Sequence, residues 1–215
     1  MFKKIFIILK VVVILNLLSS LINREWTATF VCLLTIIFLF ISDFIKKKLC
    51  YGNIINLLIY LFLILSLIGG EVYYLYVKIS YFDIIMHIFS SFIISALALY
   101  LIKYYKCSIC KKLISLFVFS VAMMVAVMWE LTEFSIDRIF NVDMQKDTVI
   151  NEVNSVMLTS DGKGVGHVSV DNMRLGNSVF DGYLDIGLYD TMYDIVCADI
   201  GSIMLIIIYK IKEAF

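Results

Sequence analysis

Residues 113–137, LISLFVFSVAMMVAVMWELTEFSID, decide the class of fold. The first seventeen of them carry no charge, and three carboxylates follow at Glu130, Glu133 and Asp137. As an α-helix, an uncharged run of that length covers about 26 Å, close to the thickness of the hydrocarbon core of a bilayer. The stretch therefore predicts a membrane-spanning helix whose last two turns carry acids.

The composition of the chain points in the same direction. Of its 215 residues, 62% are hydrophobic and only 17% are charged, and the mean hydropathy is +0.96. A soluble domain of this length cannot bury so much apolar surface, whereas a bilayer can. The formal net charge is zero, so nothing indicates a nucleic-acid partner. We therefore expect a multi-pass membrane protein whose main partner is the lipid bilayer.

Apolar runs long enough to cross the hydrocarbon recur along the chain. They predict an all-α, polytopic transmembrane helix bundle, forming a single membrane domain over residues 1–215, with six spans at about 4–22, 26–45, 53–70, 83–102, 113–136 and 190–209. The first run has an alternative interpretation as a secretory signal peptide, because Lys3 and Lys4 precede it and small residues end it. Its length and the lack of a small-x-small cleavage site favour a retained helix.

Basic residues predict the orientation of the spans. Eleven of them fall on one side of the six-span arrangement, at Lys3, Lys4, Lys46, Lys47, Lys48, Lys103, Lys106, Lys111, Lys112, Lys210 and Lys212. The short loops on the other side hold only Arg24 and Lys78. We therefore expect a bacterial-type cytoplasmic (inner) membrane protein with both termini in the cytoplasm and residues 137–189 outside.

The segment 137–189 is the only part that resembles a soluble protein. Within it, TVINEVNSVML and HVSV flank the glycine-rich TSDGKGVG, a pattern typical of a short β-hairpin. We expect a small extracytoplasmic β-element here, and the alternative is an ordered cap or a variable loop. The segment contains no cysteine, so no disulfide is expected in it.

A Cys-x-x-Cys pair at Cys107 and Cys110 lies in the lysine-rich loop after the fourth span. Such a pair is half of a zinc site, but no second pair and no nearby histidine completes it. The pattern therefore favours two reduced cysteines in a basic loop.

Acidic residues gather where four spans reach the predicted outer face. Glu71 ends the third span, Asp83 and His87 begin the fourth, and the sixth begins with Asp190 and Asp194. The fifth span ends with the three carboxylates quoted above. Charges inside the membrane are costly and usually functional, so this convergence predicts a site.

Helical spacing sharpens that prediction, because residues three, four or seven apart share one stripe of a helix. Facing helices that project carboxylates and a histidine build cation sites in bundles. We expect a divalent metal ligated by Asp83, His87, Glu130, Asp190 and Asp194. Oxygen donors with one nitrogen suit magnesium, manganese, calcium, iron or zinc better than copper(I). Unless a cation binds, several of these acids must hold protons.

Depth gives some of these residues a simpler alternative. Glu130, Asp83, Asp137 and Asp190 can be hydrated residues at helix ends, and His87 can be a hydrogen-bonded core histidine. Asp194 lies about 22 Å of helix before Lys210, which places it inside the hydrocarbon. Asp199 falls close to the midplane but about 140° round the helix from Asp194. The secondary candidates are Glu71, Asp137, Gln145 and Asp199.

Short motifs in this order resemble those of the VanZ-like membrane proteins and, more closely, of the uncharacterised YjdF-type membrane family. They are DIIMH at 83–87, WELTEF at 129–134, Met144-Gln145, and DTMYD at 190–194 followed by Gly201. The resemblance covers about residues 53–209 and implies the same bundle and the same site. VanZ-like proteins are linked to low-level tolerance of the glycopeptide teicoplanin. The chain departs from the pattern at Ala198, where the family has an acid or Asn, and in its longer 146–189 insertion.

Two functions fit these observations, and a third stays open. The first is a metal-dependent hydrolase or transferase acting on a lipid or lipid-linked envelope molecule, with Glu130, Glu133 and Asp194 as catalytic residues and a raised-pKa glutamate as general base. The only arginine near the acids is Arg138, which weakens the case for phosphoryl chemistry. The second is cation- or proton-linked transport. The third is a sensing or structural role of the outer loop. No nucleotide-binding motif occurs, so no nucleotide cofactor is expected.

Overall fold

The computed structural model describes residues 2–107 and 110–214, so the middle of the Cys107–Cys110 motif lies outside the described part. The described helices are α1 (Phe2–Ile22), α2 (Trp26–Leu49), α3 (Asn53–Leu63) continued by a π-helical segment (Ile64–Val72), α4 (Leu75–Lys78), α5 (Phe82–Tyr104), α6 (Lys111–Phe140) and α7 (Leu188–Ala214). Six of the described helices are long and apolar enough to cross a membrane. The predicted all-α polytopic bundle with about six spans is therefore confirmed.

Helices α6 and α7 extend into the segment between the fifth and sixth predicted spans. Helix α6 continues to Phe140, and α7 begins at Leu188. The added residues, 137–140 and 188–189, mix charged, aromatic and aliphatic side chains, so a count of apolar residues does not assign them to a span. The segment between the fifth and sixth spans therefore has helical ends, and Asp137 belongs to the last turn of α6.

Close contacts divide the chain into two compact units. Unit 1 comprises Met1–Ala126 and Ile195–Phe215, and unit 2 comprises Val127–Asp194. The division cuts α6 and α7, each of which is one continuous helix.

The core of unit 1 contains two apolar clusters. One joins α1, α2, α3 and the π-helical segment through Val13, Cys32, Leu39, Tyr60 and Ile68. The other joins α5, α6 and α7 through Ala96, Ala98, Val118 and Leu205. Because Val13 is fully buried, α1 packs as one of the bundle helices.

Helices α5 and α7 approach closely along a line of small residues in unit 1. Ser91 donates its hydroxyl to the carbonyl oxygen of Ala198, and the hydroxyls of Ser95 and Ser202 lie 2.9 Å apart. A Cβ atom on Gly201 would overlap the carbonyl oxygen of Ile88. Small residues and hydroxyl contacts are how membrane helices pack tightly, so this line fixes the register between the two helices.

Unit 2 carries the strands. The predicted hairpin is present, with β2 (Glu152–Ser155) antiparallel to β3 (Gly166–Ser169). Two further ladders pair β4 (Met173–Leu175) with β5 (Ser178–Phe180) and β1 (Thr148–Ile150) with β6 (Tyr183–Asp185). The β1–β6 ladder joins the two ends of the segment, since Thr148 pairs with Asp185.

Candidate functional site

Helix α5 of unit 1 begins with two of the predicted ligands. Asp83 and His87 are one turn apart, and His87 Nε2 lies 3.5 Å from Asp83 Oδ1. Their side chains are 16% and 12% exposed, so both are largely withdrawn from the surface. The stripe that continues from His87 leads to Ser91 and Ser95, the residues that contact α7. The pair therefore lies at the α7-facing side of α5.

The three acids that the sequence marks as catalytic candidates belong to unit 2 and are buried. Glu130, Glu133 and Asp194 are 4%, 8% and 3% exposed, and in the described part of the chain they are the charged residues that become buried. Acidic side chains are almost never fully buried unless something compensates them. Their burial therefore requires hydrogen bonds, protons or a cation.

Two other predicted acids bind backbone amides in unit 2. The carboxylate of Asp137 accepts the N–H groups of Met144 and Gln145 at 2.7 and 3.0 Å. Asp190 Oδ2 accepts the N–H of Lys146 at 3.0 Å. Three consecutive amides are thus held between the end of α6 and the start of α7. We call residues 137, 144–146 and 190 the carboxylate clamp.

Gln145 is the centre of this clamp and is itself buried. Its side-chain amide donates to the hydroxyl of Thr191 at 2.5 Å. Gly187, just before α7, has φ +108°, and a Cβ atom there would lie 2.6 Å from the Cβ of Gln145. Any other residue at position 187 would have a strained backbone, and its Cβ atom would clash with the side chain of Gln145. Gln145 belongs to the Met144-Gln145 motif, and within unit 2 its side chain contacts Thr191 and lies against Gly187.

Asp143 lies near the carboxylate clamp, and the negative charge of Asp137 acts on its carboxyl group. Partial burial raises the pKa of its carboxyl, and the negative charges of Asp147 and Asp137 raise it further. Because Asp143 is exposed, it titrates in contact with solvent.

Asp194 is the last residue of unit 2, within the continuous helix α7. It lies one turn before Ala198, as His87 lies one turn before Ser91, and Ser91 and Ala198 are hydrogen bonded. Among the described residues, Asp83, His87 and Asp194 form the group of acids and histidine that could hold a metal ion. Of the five predicted ligands, Glu130 and Asp190 are outside this group.

The remaining secondary candidates are separate from that group. Glu71 is exposed at the end of the π-helical segment. Asp199 is half-buried, and its Oδ1 atom is buried with no hydrogen-bond partner among the described residues. Asp199 therefore carries an unsatisfied acceptor in the membrane part of α7.

The serine contacts between α5 and α7 were not predicted from the sequence. The signal was present as Ser91-x-x-x-Ser95 in one apolar span and Gly201-Ser202 in another. In membrane helices such spacing of small residues marks a packing face. The close packing also accounts for the small side chain at position 198. The carbonyl oxygen of Ala198 accepts the hydrogen bond from Ser91, and Ala198 is only 1% exposed.

Comparison with known proteins gives one match over most of the chain. A family model described as "Predicted membrane protein (DUF2238)" matches residues 2–213. The matched range includes the six candidate spans and the residues of the site. No curated protein and no solved structure matches the chain.

Proposed function

We propose a function for this chain on the premise that it belongs to the DUF2238 family of predicted membrane proteins. It is a multi-pass membrane protein in which Asp83, His87 and Asp194 hold a divalent metal ion. With that ion it acts as a hydrolase or transferase on a lipid or lipid-linked envelope molecule. The observation that supports the proposal is the hydrogen-bonded register of α5 and α7 within unit 1, at Ser91–Ala198 and Ser95–Ser202.

The donor set supports a metal with open positions. Two carboxylates and one imidazole are hard and intermediate ligands, which suit magnesium, manganese, iron or zinc. Three protein ligands are typical of catalytic metal sites, where water or substrate takes the remaining position. A metal in this place would polarise a carbonyl or phosphoryl oxygen and lower the pKa of bound water.

Protein groups near the end of α6 supply the proton chemistry in this proposal. Glu130 or Glu133 accepts the proton of the attacking water, or of an acceptor hydroxyl, and later returns it to the leaving group. Both side chains are buried, which suits a carboxylate that must exchange a proton away from bulk water. The carboxylate clamp holds the end of α6 against the start of α7 within unit 2, so Asp137, Gln145 and Asp190 act as positioning residues.

The substrate class follows from the predicted location of the site. The acids lie where spans end at the face that the lysines predict to be outer, at the depth of lipid head groups. The motif resemblance to VanZ-like and YjdF-type proteins adds weight to an envelope molecule as substrate.

Transport is the second candidate, and one observation favours it. Asp199 has a buried carboxylate oxygen with no hydrogen-bond partner among the described residues, five residues deeper along α7 than Asp194. An intramembrane acid of this kind is typical of proton and cation pathways. In this alternative, Asp194 and Asp199 are successive binding positions.

Metal analysis of the purified protein tests the first proposal. We expect the parent chain to retain a divalent metal, and His87→Ala and Asp194→Asn to lower its affinity by about tenfold or more, since even outer-shell changes cost that much. The chain has two histidines, so His167→Ala, on the exposed strand β3, is the matched control and should leave the metal unchanged.

Thermal unfolding gives an independent readout. Added metal should raise the unfolding midpoint of the parent and of His167→Ala but not of His87→Ala, because only a bound ligand stabilises the native state. A parent protein that neither retains metal nor responds to it would rule out the metal site. Proton or cation flux in reconstituted vesicles that is lost in Asp199→Asn would favour transport.

A further inference from the structure

A second set of charged residues lies at the opposite ends of the spans, within unit 1. Lys10 on α1 and Asp43 on α2 form an ion pair of 2.7 Å, and their side chains are 36% and 31% exposed. Lys10 is about 12 Å along α1 from Phe2, and Asp43 is about 9 Å along α2 from Leu49. Both therefore lie at a similar depth inside the end that the lysines predict to be cytoplasmic.

Helix α3 supplies two hydrogen bonds to the carboxylate of Asp43, in addition to the ion pair with Lys10 of α1. The hydroxyl of Tyr60 donates to Oδ2 at 2.8 Å, and the side-chain amide of Asn56 donates to Oδ1 at 3.3 Å. Tyr60 and Asn56 are fully buried. Asn56 is fixed in turn by hydroxyl donors from Ser42 and Tyr51. The carboxylate is therefore pre-positioned by α2, α3 and the loop between them.

Two aromatic rings also lie close to the Lys10 ammonium. Its Nζ lies 5.3 Å from the ring centre of Phe40 and 5.8 Å from that of Tyr60. A carboxylate with aromatic rings is the arrangement by which proteins bind organic ammonium groups. It suits a metal ion poorly, because the donors offer few oxygen ligands.

We infer that Asp43, Phe40 and Tyr60 form a binding site for a primary ammonium group, and that Lys10 of α1 occupies it. The site is built by α2 and α3, whereas its occupant comes from a third helix. An external alkylammonium therefore fits the same place once the lysine ammonium is removed. Its source is either a free amine or the aminoethyl head group of a phospholipid. This site is independent of the proposed metal site.

Chemical rescue tests the inference. Lys10→Ala leaves the Asp43 carboxylate without its cation, so we expect a lower midpoint of thermal unfolding in detergent. n-Propylammonium chloride should restore most of that loss in a saturable way, whereas sodium chloride at the same concentration should not. The parent protein should not respond to the amine, because Lys10 fills the site.

Two variants control for nonspecific effects of the amine. Lys10→Ala/Asp43→Asn lacks the carboxylate and should show no rescue. Lys46→Ala is the matched lysine control, because Lys46 also lies over a ring, that of Phe6 at 5.1 Å, but donates to the amide oxygen of Asn53 instead of a carboxylate. It should show no rescue either. If Lys10→Ala does not yield folded protein, Lys10→Ser serves in its place.

Vesicles distinguish the two sources of the ammonium group. Lys10→Ala reconstituted in phosphatidylethanolamine should unfold at a higher temperature than in phosphatidylglycerol if a lipid head group enters the site. Rescue by propylammonium alone indicates a free amine. No shift in propylammonium and none between the two lipids would overturn the inference.

Discussion

Carboxylates in unit 2 are compensated in two different ways. Asp137 and Asp190 accept backbone N–H groups, so hydrogen bonds to the chain itself satisfy part of their acceptor capacity. Glu130 and Glu133 are buried on the apolar part of α6, where an ionised acid is costly. Glu130 and Glu133 are the pair to which the proposed function assigns the proton chemistry.

Asp143 gives a pH-dependent prediction at the same scale. Its carboxyl pKa is raised above 3.8 by burial and by Asp147 and Asp137. The folded protein therefore holds this proton at pH values where the unfolded chain has lost it, so stability falls as pH rises through that window. Asp143→Asn should remove this loss and raise the neutral-pH unfolding midpoint by about 1 °C.

The comparison requires unfolding midpoints at neutral pH and near pH 3.5. The advantage of Asp143→Asn over the parent should be present at neutral pH and absent at the acidic value. Asp181→Asn removes another exposed negative charge from unit 2 and is the control. An advantage of the same size at both pH values would contradict the assignment.

At the scale of elements, the proposed metal site depends on the packing of α5 against α7. Hydroxyl contacts at Ser91 and Ser95 and the absence of a side chain at Gly201 bring the two backbones close together. Packing and hydrogen bonds, rather than apolar burial, drive association of helices in lipid. A change in this line should therefore disturb both stability and the proposed metal site.

Gly201→Ala is the direct test of that packing. The new Cβ would overlap the carbonyl oxygen of Ile88, which belongs to a helix backbone and cannot move aside. We expect destabilisation of about 1–3 kcal/mol, as for other overpacked positions, seen as a lower unfolding midpoint. The affinity of this variant for the metal should fall as well.

Gly52→Ala is the matched control, because a Cβ there would meet only the Tyr100 hydroxyl at 3.8 Å, an ordinary contact. It should unfold close to the parent midpoint. Equal effects of the two substitutions would show that loss of glycine, rather than helix approach, matters.

At the scale of the whole molecule, orientation in the membrane rests on the distribution of lysines. The exposed cysteines provide a way to check it, because Cys50, Cys107 and Cys110 all lie at helix ends that the lysines predict to be cytoplasmic. Cys32 and Cys197 are buried and should react slowly.

A membrane-impermeant maleimide should therefore label the parent protein in inside-out vesicles but not in intact cells. Lys163→Cys, in the exposed turn between β2 and β3, should be labelled in intact cells and serves as the control for the other face. Labelling of the parent in intact cells would contradict the predicted orientation and place the proposed metal site on the inner side.

Contacts between distant residues set the limit of prediction from the sequence. The β2–β3 hairpin could be predicted because its strands and glycine-rich turn are local. The β1–β6 ladder could not, because its strands are short and far apart in the chain. The Lys10–Asp43 ion pair could not be predicted for a similar reason, because its two residues are 33 positions apart in the chain.

The sequence by itself determined the class of the protein, because six long apolar runs have one stable solution in a bilayer, and it marked the acids as unusual because charge in lipid is costly. The tertiary structure alone gave those acids different surroundings. Asp137 and Asp190 bind loop amides, whereas Glu130 and Glu133 are buried. Asp43, which the sequence pattern did not mark, pairs with Lys10. The physical reason is that helical periodicity gives the face of a residue, whereas its partner depends on the packing of other elements.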